Sequence, residues 1–597
     1  MKRGMFDLDE VTGRHLDWSL FRRFLALIRP YRREAAGALL LLPLVTLARL
    51  VQPYLLKVAI DEHIVPGRLD GFAGVVALFL LAVCSESLFG FGQGYLAQAV
   101  GQRLMAALRK RGFSHLLRLP AAFFDRNPSG RLVTRLTGDV ENVGELFGSG
   151  VAAALGELFS LVFIIGIMLW LDLRLTLVAF ALVPLLAVIL ALFRRSMRDA
   201  MRQVRARVAG MNGYLAERIA GITEVRLFGQ ERRTLDEFTD LQEDYRRSTF
   251  RTILWDAFLF SALEILGSLA IAGILWRGGG AVLAGTATFG TLVAFVEYVQ
   301  RFFAPLRKLS AQYSLLQSSN ASLERVFALL DETPEDSSGG NWPEGGGQVR
   351  LADVSFGYDE LNPVLRNIEL EIHPGETVAL VGDTGSGKTT LARLLLRFYQ
   401  AQSGQILVNG IDLRELDPEK ARRQIGWVSQ DPFLFAGTVG ENLDPEGRLD
   451  DKALKDLIAR SGCREAVRRL GGLAGRIAER GRNLSAGERQ LLCLARALAL
   501  DPEIMIFDEA TSRLDPATEE VVGQEMERAC RGRTALIIAH RLRSIRHADR
   551  IVVLHRGKIR ESGTHGELLA RDGLYSRLWR LQALAADGSP PAAEAGR

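Results

Sequence analysis

Residues 382–389, in the C-terminal half of the chain, read Gly-Asp-Thr-Gly-Ser-Gly-Lys-Thr. A strand-like apolar run, 377–381, precedes this stretch, and a helical pattern begins at Lys388. A strand, a glycine-rich turn and a helix N-terminus direct unpaired N–H groups and the helix dipole at one point. The spacing matches the phosphate loop G-x-x-x-x-G-K-[ST], whose lysine neutralises phosphate and whose final hydroxyl is offered to Mg²⁺. The stretch therefore predicts a nucleotide phosphate site.

The overall composition is intermediate between that of a soluble protein and that of a fully embedded membrane protein, which fits a chain that is half membrane and half soluble. The chain has 597 residues, 48% of them hydrophobic, and a mean hydropathy of +0.11, which is high for a soluble protein and low for one embedded throughout. Lys and Arg total 74 against 69 Asp and Glu, and this small excess of +5 does not favour a nucleic-acid partner. The four cysteines form no Cys-x-x-Cys pair, so we interpret them as reduced structural residues.

The N-terminal half contains apolar stretches of membrane-spanning length, which requires about 20 helical residues. Basic residues collect before the first stretch and after the second and fourth, so the positive-inside rule predicts that both termini are cytoplasmic. We predict domains at 1–330 (transmembrane), 331–347 (linker), 348–582 (nucleotide-binding) and 583–597 (disordered tail). The six predicted spans are 36–59, 73–97, 147–170, 175–195, 257–277 and 283–305.

Two long stretches between spans, 98–146 and 196–256, keep apolar residues at helical spacing, so we expect their helices to continue beyond the bilayer. Each contains a turn-like interruption, at 123–130 and at 220–224. These breaks predict that pairs of long helices reverse direction there, with a short helix that lies across a cytosolic partner.

The charged residues inside the predicted spans include Arg49, Glu86, Glu157, Glu264 and Glu297. Charges in membrane spans are costly and usually face a partner or a cavity. One interpretation is structural, with an Arg49–Glu86 pair that joins two helices. The other is a net-acidic, water-accessible cavity that favours cationic amphipathic substrates.

Further candidate residues follow apolar strands in the C-terminal half. Asp508 ends the run 504–508 and suits Mg²⁺, and Glu509 beside it is positioned to polarise an attacking water. Gln430 can bridge metal and water, and His540 can reach the γ-phosphate, although a lone histidine is more often a core residue.

Two more features complete the pattern. Tyr358 offers a flat face for adenine, although an aromatic residue there is by itself more often core. The stretch 484–490, Leu-Ser-Ala-Gly-Glu-Arg-Gln, opens a helix with a serine- and glycine-containing turn and predicts a second anion site.

With these motifs in place, residues 21–581 resemble a half-transporter of the ATP-binding cassette (ABC) exporter family. The resemblance implies a six-span α-helical transmembrane domain fused to an α/β P-loop ATPase domain. It assigns ATP contacts to Tyr358, Gly382, Asp383, Thr384, Gly385, Ser386, Gly387, Lys388, Thr389, Thr390, Ser485, Gly487 and Asp508, Mg²⁺ contacts to Thr389, Gln430 and Asp508, catalysis to Glu509, His540 and Gln430, and a D-loop to 512–515.

The resemblance also implies how the protein works. The signature Ser and Gly of one chain close over ATP held by the phosphate loop of a second chain, and coupling helices near 125–135 and 216–226 contact the nucleotide domains. We expect ATP-driven, multidrug-type export of amphipathic molecules across a bacterial inner membrane. The alternatives are a lipid or lipid-A flippase of the same architecture, and an ATP-regulated channel or sensor that does not pump.

Two positions in the signature depart from the family pattern Leu-Ser-Gly-Gly-Gln: Ala486 and Glu488. If position 486 needs a positive φ, alanine would cost about 1 kcal/mol, and Glu488 would place a carboxylate close to phosphate. Arg513 stands where the D-loop commonly has alanine. On resemblance alone, we therefore expect a heterodimer rather than a homodimer.

Overall fold

The structure, a computed structural model, describes residues 18–359, 362–510, 514–539 and 541–586. It consists of two compact units. The first contains the chain up to Leu117 together with Ser129–Glu332, and the second contains Arg118–Pro128 and the chain from Thr333. The short segment Arg118–Pro128, which lies within the predicted transmembrane domain 1–330, thus belongs to the second unit.

The first unit is entirely helical within its described residues. Short π-helical turns at Ala59–Ile64, Arg135–Asp139 and Leu146–Val151 join some of its helices without a break. The helices are α1 (Trp18–Ile28), α2 (Arg32–Val58), α3 (Phe72–Leu116), α5 (Ser129–Thr134), α6 (Val140–Glu145), α7 (Ala152–Leu171), α8 (Leu173–Phe180), α9 (Val183–Ala220), α10 (Ile222–Leu227), α11 (Glu231–Leu283) and α12 (Phe289–Asp331), with α4 (Ala121–Arg126) in the second unit.

Five helical stretches of the described chain are long and apolar enough to cross a membrane: Arg22–Ile64, Phe72–Leu116, Ser129–Leu171, Leu173–Ala220 and Glu231–Leu283. They contain the first five predicted spans. The sixth predicted span, 283–305, begins at the last residue of α11 and continues into α12, which carries Glu297 and Arg301 in its apolar part. That span stays a prediction.

The long extensions and their interruptions occur where the sequence predicts them. The helix α3 ends at Leu116, and α4 and α5 follow; α9 ends at Ala220, and the short α10 separates it from the 53-residue α11. Leu50, Ile164, Phe295 and Tyr298 are buried among the long helices. Many large apolar side chains on the same helices are exposed, as expected where lipid covers a protein surface.

The second unit is built on two large sheets. Its further helices are α13 (Lys388–Leu395), α14 (Pro418–Arg423), α15 (Val439–Leu443), α16 (Asp451–Arg460), α17 (Arg464–Leu470), α18 (Ala486–Leu498), α19 (Pro516–Cys530), α20 (His565–Ala570) and α21 (Leu574–Ala586). The strands are β1 (Val349–Phe356), β2 (Leu365–Ile372), β3 (Thr377–Gly382), β4 (Ser403–Val408), β5 (Ile411–Asp412), β6 (Ile425–Val428), β7 (Gly437–Thr438), β8 (Arg476–Ile477), β9 (Ile504–Asp508), β10 (Thr534–Ile538), β11 (Arg550–His555) and β12 (Lys558–Gly563).

The six-stranded sheet has the order β12-β11-β3-β10-β9-β6, and its strands are parallel except for β12. Register places Ile538 beside both Leu380 and Asp508, and Val428 beside Phe507. The carboxyl ends of β3, β10, β9 and β6 therefore meet at one edge, which is where ligands bind in open α/β sheets. The antiparallel sheet β2-β1-β4-β5 shares a buried core with α13.

The predicted linker is held on the second unit. Gly340 N donates to Glu415 O at 2.7 Å and Gly340 O accepts from Asp417 N at 2.9 Å, while Arg422 pairs with Glu335 at 2.5 Å. A composition rich in glycine and acids therefore does not make this segment a free tether. The predicted tail, 583–597, is shortened at its start because α21 continues to Ala586; residues 587–597 lie outside the described chain.

Candidate functional site at the edge of the parallel sheet

The phosphate loop joins β3 to α13 through backbone conformations that favour glycine. Gly382, Gly385 and Gly387 have φ values of 152°, 79° and 106°. A Cβ on Gly382 would lie 1.9 Å from Leu554 O, and one on Gly387 would lie 2.6 Å from Leu365 Cδ2. The loop therefore needs all three glycines for conformation, and Gly382 and Gly387 also for space.

Lys388 and Ser386 offer donors at this loop. Lys388 Nζ donates to the carbonyl oxygens of Gly382 and Asp383 at 2.8 and 3.0 Å. Burial lowers the pKa of Lys388, and Glu509, Asp383 and Asp508 oppose that shift. The buried Ser386 Oγ has no hydrogen-bond partner among the described residues. A buried hydroxyl of this kind calls for a partner, and a phosphate oxygen would supply one.

Two candidate pairs meet at the sheet edge. Thr389 Oγ1 donates to Asp508 Oδ1 at 3.2 Å, and Gln430 Nε2 donates to Glu509 Oε2 at 2.6 Å. Burial raises the pKa of Asp508 above its usual value, as does nearby Glu509, while the Thr389 hydrogen bond lowers it. The hydroxyl and carboxylate oxygens at this edge are donors of the kind that Mg²⁺ prefers.

Glu509 itself has an unusual backbone. Its φ is 49°, in the left-handed region that a glutamate rarely adopts, and its N–H continues the sheet by donating to Ile538 O at 2.9 Å. Such conformations persist where the surroundings impose them and occur often at functional sites. Here the geometry turns the side chain away from the strand and into hydrogen-bond contact with Gln430.

Tyr358 follows β1 and is 39% exposed. Its hydroxyl is 3.1 Å from Thr390 Oγ1 and accepts from Arg393 at 3.4 Å. The ring of Tyr399 meets it edge-on at 5.1 Å between centroids.

The short helix α4 joins this group. Tyr399 donates its hydroxyl hydrogen to Asp125, and Arg393 lies 3.7 Å from the same carboxylate. Burial raises the pKa of Tyr399 to about 12, and Asp125 adds to the shift, so the phenol stays a donor. Sequence reasoning identified α4 as a short helix but missed Arg393 and Tyr399, for which no local signal exists. It also missed His555, whose Nδ1 lies 2.8 Å from Asp383 Oδ2.

The signature turn, 484–490, lies at the start of α18. Ser485 is its N-cap, and Ala486 and Gly487 have helical backbone conformations. Ala486 does not have a positive φ, so the conditional strain penalty on alanine does not apply. The carboxylate of Glu488 also has partners: it accepts a hydrogen bond from Ser485 N at 2.7 Å and forms an ion pair with Arg469 at 2.8 Å. A Cβ on Gly487 would lie 2.1 Å from Thr518 Cγ2.

The remaining predicted residues cannot be placed. His540 and positions 511–513, which include Ser512 and Arg513 of the predicted D-loop, lie outside the described residues. Of that loop, Leu514 is buried and Asp515 caps α19 by accepting from Thr518 N at 3.1 Å. Two other predicted residues, Asp383 and Thr384, are described and lie in the phosphate loop.

Comparison with known proteins identifies the family to which a chain with these two units is similar. Residues 36–306 match the model of the ABC transporter transmembrane region, and residues 365–512 match the ABC transporter model. The "Probable multidrug resistance ABC transporter ATP-binding/permease protein YheH" of Bacillus subtilis is 35% identical over 86% of this chain and 77% of its own length.

Other relatives match over nearly their full length. The "Putative ABC transporter ATP-binding protein exp8" of Streptococcus pneumoniae is 33% identical over 96% of this chain and 99% of its own. An "ATP-dependent lipid A-core flippase" of Syntrophus aciditrophicus is 33% identical over 94% of both chains. The chain therefore belongs to the ABC transporter family. It is a multi-pass membrane protein with a helical transmembrane region fused to an ATPase domain, and it couples ATP hydrolysis to transport.

Proposed function

We propose that the chain is one subunit of an exporter that moves amphipathic small molecules across a bacterial inner membrane by alternating access. The observation that carries the proposal is the meeting of Thr389, Asp508, Gln430 and Glu509 at one sheet edge, in a chain whose described residues include five helical stretches of membrane-spanning length. The multidrug name of one relative supports the substrate class.

In the proposed chemistry, Glu509 is the base. Gln430 donates to its carboxylate and so orients it toward a water, whose oxygen attacks the γ-phosphorus as the bond to ADP breaks and whose proton passes to Glu509. Lys388, Ser386 and the loop N–H groups hold the phosphates, and Tyr358 stacks on adenine. Thr389, Asp508 and Gln430 would hold Mg²⁺, which when bound neutralises phosphate charge.

We further propose that two chains make one transporter, with each signature turn closing on the partner's ATP. The helix α10 supports a second subunit because Ile222, Leu227 and the adjoining Phe228 are 47%, 75% and 71% exposed, which is unfavourable for apolar side chains without a cover. A heterodimer remains the proposal on resemblance alone. The altered signature forms an intact capped turn, so it gives no sign of an inactive site. Co-purification and mass identification of any second subunit tests the assembly.

Orientation follows from the basic clusters: both termini and the nucleotide domain face the cytoplasm.

For the substrate, we compare the acidic residues inside the predicted spans by whether they have a basic partner. Arg49 pairs with Glu86 at 2.7 Å, as in the structural interpretation, and Glu297 lies 3.8 Å from Arg301. Glu264 is exposed on α11, within an apolar span, and is the acid that we propose for cationic substrates.

Glu264→Gln should therefore slow transport of a cationic dye more than that of a neutral analogue, with Glu231→Gln at the start of α11 as the control. If Glu264→Gln changed the transport rates of both substrates by the same factor, this role would be excluded. The flippase names among the relatives favour a lipid substrate as the second candidate. Movement of labelled lipid in proteoliposomes, measured beside dye transport, decides between the two.

The decisive test of the chemistry is Glu509→Gln in the full-length protein in membranes. Loss of the base should lower ATP hydrolysis by about 100-fold or more while ATP binding persists. Glu520→Gln, at an exposed position on α19, is the control. Hydrolysis within a factor of about two of the parent would disprove the assignment. Unchanged substrate flux in the hydrolysis-deficient variant would indicate a channel rather than a pump.

A further inference from the structure

We propose that Arg469 is a positioning residue for ATP turnover: it neutralises Glu488 and so keeps the signature turn able to accept a phosphate. The proposal rests on the proposed function, in which this turn closes on the partner's ATP. Arg469 acts through Glu488 and Asn483 and is not itself assigned a contact with nucleotide.

The turn is closed by a reciprocal pair of hydrogen bonds. Ser485 Oγ accepts from Glu488 N at 3.2 Å, and Glu488 Oε2 accepts from Ser485 N at 2.7 Å. This capping box satisfies two N–H groups that the start of α18 would otherwise leave without partners. A glutamate at this position is therefore favourable for the helix, since it also lies at the positive end of the helix dipole.

The same carboxylate is unfavourable for the proposed ligand. An anion that docks on the N-terminus of α18 uses the N–H groups that the capping box leaves without partners, together with the same dipole. Burial raises the pKa of Glu488, but the hydrogen bonds from Ser485 and Arg469 outweigh it and leave the pKa below its ordinary value. The side chain is thus ionised at neutral pH, and a negative charge within one helical turn would repel phosphate.

Arg469, on α17, resolves this conflict. Its Nε donates to Glu488 Oε1 at 3.0 Å and a terminal nitrogen donates to Oε2 at 2.8 Å, which is the bidentate arrangement of a strong charged pair. The same terminal nitrogen donates to Asn483 O at 3.2 Å. The guanidinium therefore holds the turn on both sides of Ser485 while cancelling the charge of Glu488.

The test is Arg469→Ala in the full-length protein with whatever second subunit co-purifies. With Glu488 left unneutralised, the KM for ATP should rise by about fivefold with kcat changed by less than about twofold. The rise should shrink as salt is added, because salt screens an exposed charge. Arg468→Ala is the matched control: it breaks an exposed pair with Glu465 on the same helix and should leave the KM unchanged.

Rescue separates charge from structure. Glu488→Gln removes the charge, so the double variant Arg469→Ala/Glu488→Gln should return to within about twofold of Glu488→Gln alone. Arg469→Lys, which keeps the charge, should stay near the parent. An Arg469→Ala KM equal to that of Arg468→Ala, or a defect that Glu488→Gln does not repair, would overturn the proposal. Failure of the proposed function looks different, because Glu509→Gln would then still hydrolyse ATP.

Discussion

The phosphate loop and the signature turn are both proposed anion sites at helix N-termini, yet they are built in opposite ways. The loop before α13 uses three glycines in conformations or spaces that exclude a side chain, at Gly382, Gly385 and Gly387. The turn before α18 uses a conventional capping box, with helical backbone at Ala486 and Gly487. A phosphate loop depends on its backbone path, whereas the signature turn depends on side-chain partners.

The two sites also differ in how charge is balanced. At the sheet edge, Asp508 is 4% exposed and its pKa is raised by burial. At the signature turn, Glu488 has Arg469 as a bidentate partner. The sheet edge therefore has charged groups that can bind a cation and phosphates. At the signature turn, the charge of Glu488 is cancelled by that of Arg469. Variants can test each side of this comparison.

The largest effect is expected at Gly387. Gly387→Ala forces a Cβ to within 2.6 Å of Leu365 Cδ2 at a φ of 106°, so ATP binding should fall by at least about 100-fold. Fluorescent nucleotide binding to the full-length protein measures this. Binding within about threefold of the parent would show that the loop tolerates a side chain and would remove the contrast between the two turns.

Asp508→Asn should abolish hydrolysis and stabilise the nucleotide-free protein. Because burial raises the pKa of Asp508 above its ordinary 3.8, the carboxylate costs stability once pH rises through the folded pKa, and asparagine removes that cost. We expect the free energy of unfolding to increase at pH 7, and this gain should disappear at pH values below the ordinary pKa.

Thermal melts of the detergent-solubilised protein at both pH values measure this gain. Glu488→Gln is the counterpart at the other turn: its folded pKa is lowered, so its charge contributes stability above the ordinary 4.5, and its loss should destabilise slightly at pH 7. Equal shifts of the same sign in both variants would contradict the proposed difference in charge balance.

Gly487→Ala should have an intermediate effect that can be repaired. The backbone there is helical, so the cost is only the 2.1 Å approach to Thr518 Cγ2. ATP hydrolysis should fall by about tenfold, and Thr518→Ser, which deletes that methyl group, should restore most of it. No second substitution of this kind should rescue Gly387→Ala. Steady-state ATPase assays of the two single variants and the double variant test the prediction.

The smallest effect is expected at Ala486. Because this residue has helical φ and its N–H is equivalent to that of glycine, Ala486→Gly should change ATP hydrolysis by less than about twofold and destabilise α18 by at most about 1 kcal/mol. A large gain in ATPase activity would show that alanine weakens the site, and would support the view that the altered signature impairs one ATP site.

Much of the second unit was predictable because its signals are local. The phosphate loop, the strand that ends at Asp508 and the capped start of α18 each occupy one short stretch, in which spacing alone specifies strand, turn and helix. The short helices α4 and α10 were predictable as interruptions for the same reason. The docking of the linker through Gly340 and Glu335 was not, because its composition is that of a free segment.

The local sequence patterns specify which residues can bind nucleotide and which helices are apolar enough for a membrane. Their pairing depends on the folded chain, since Gln430 and Glu509 are 79 positions apart and Thr389 and Asp508 are 119 apart. The register of the parallel strands brings the ends of these elements to one edge, which no local pattern encodes. The neutralisation of Glu488 is likewise a packing result, since Arg469 lies 19 positions away on another helix.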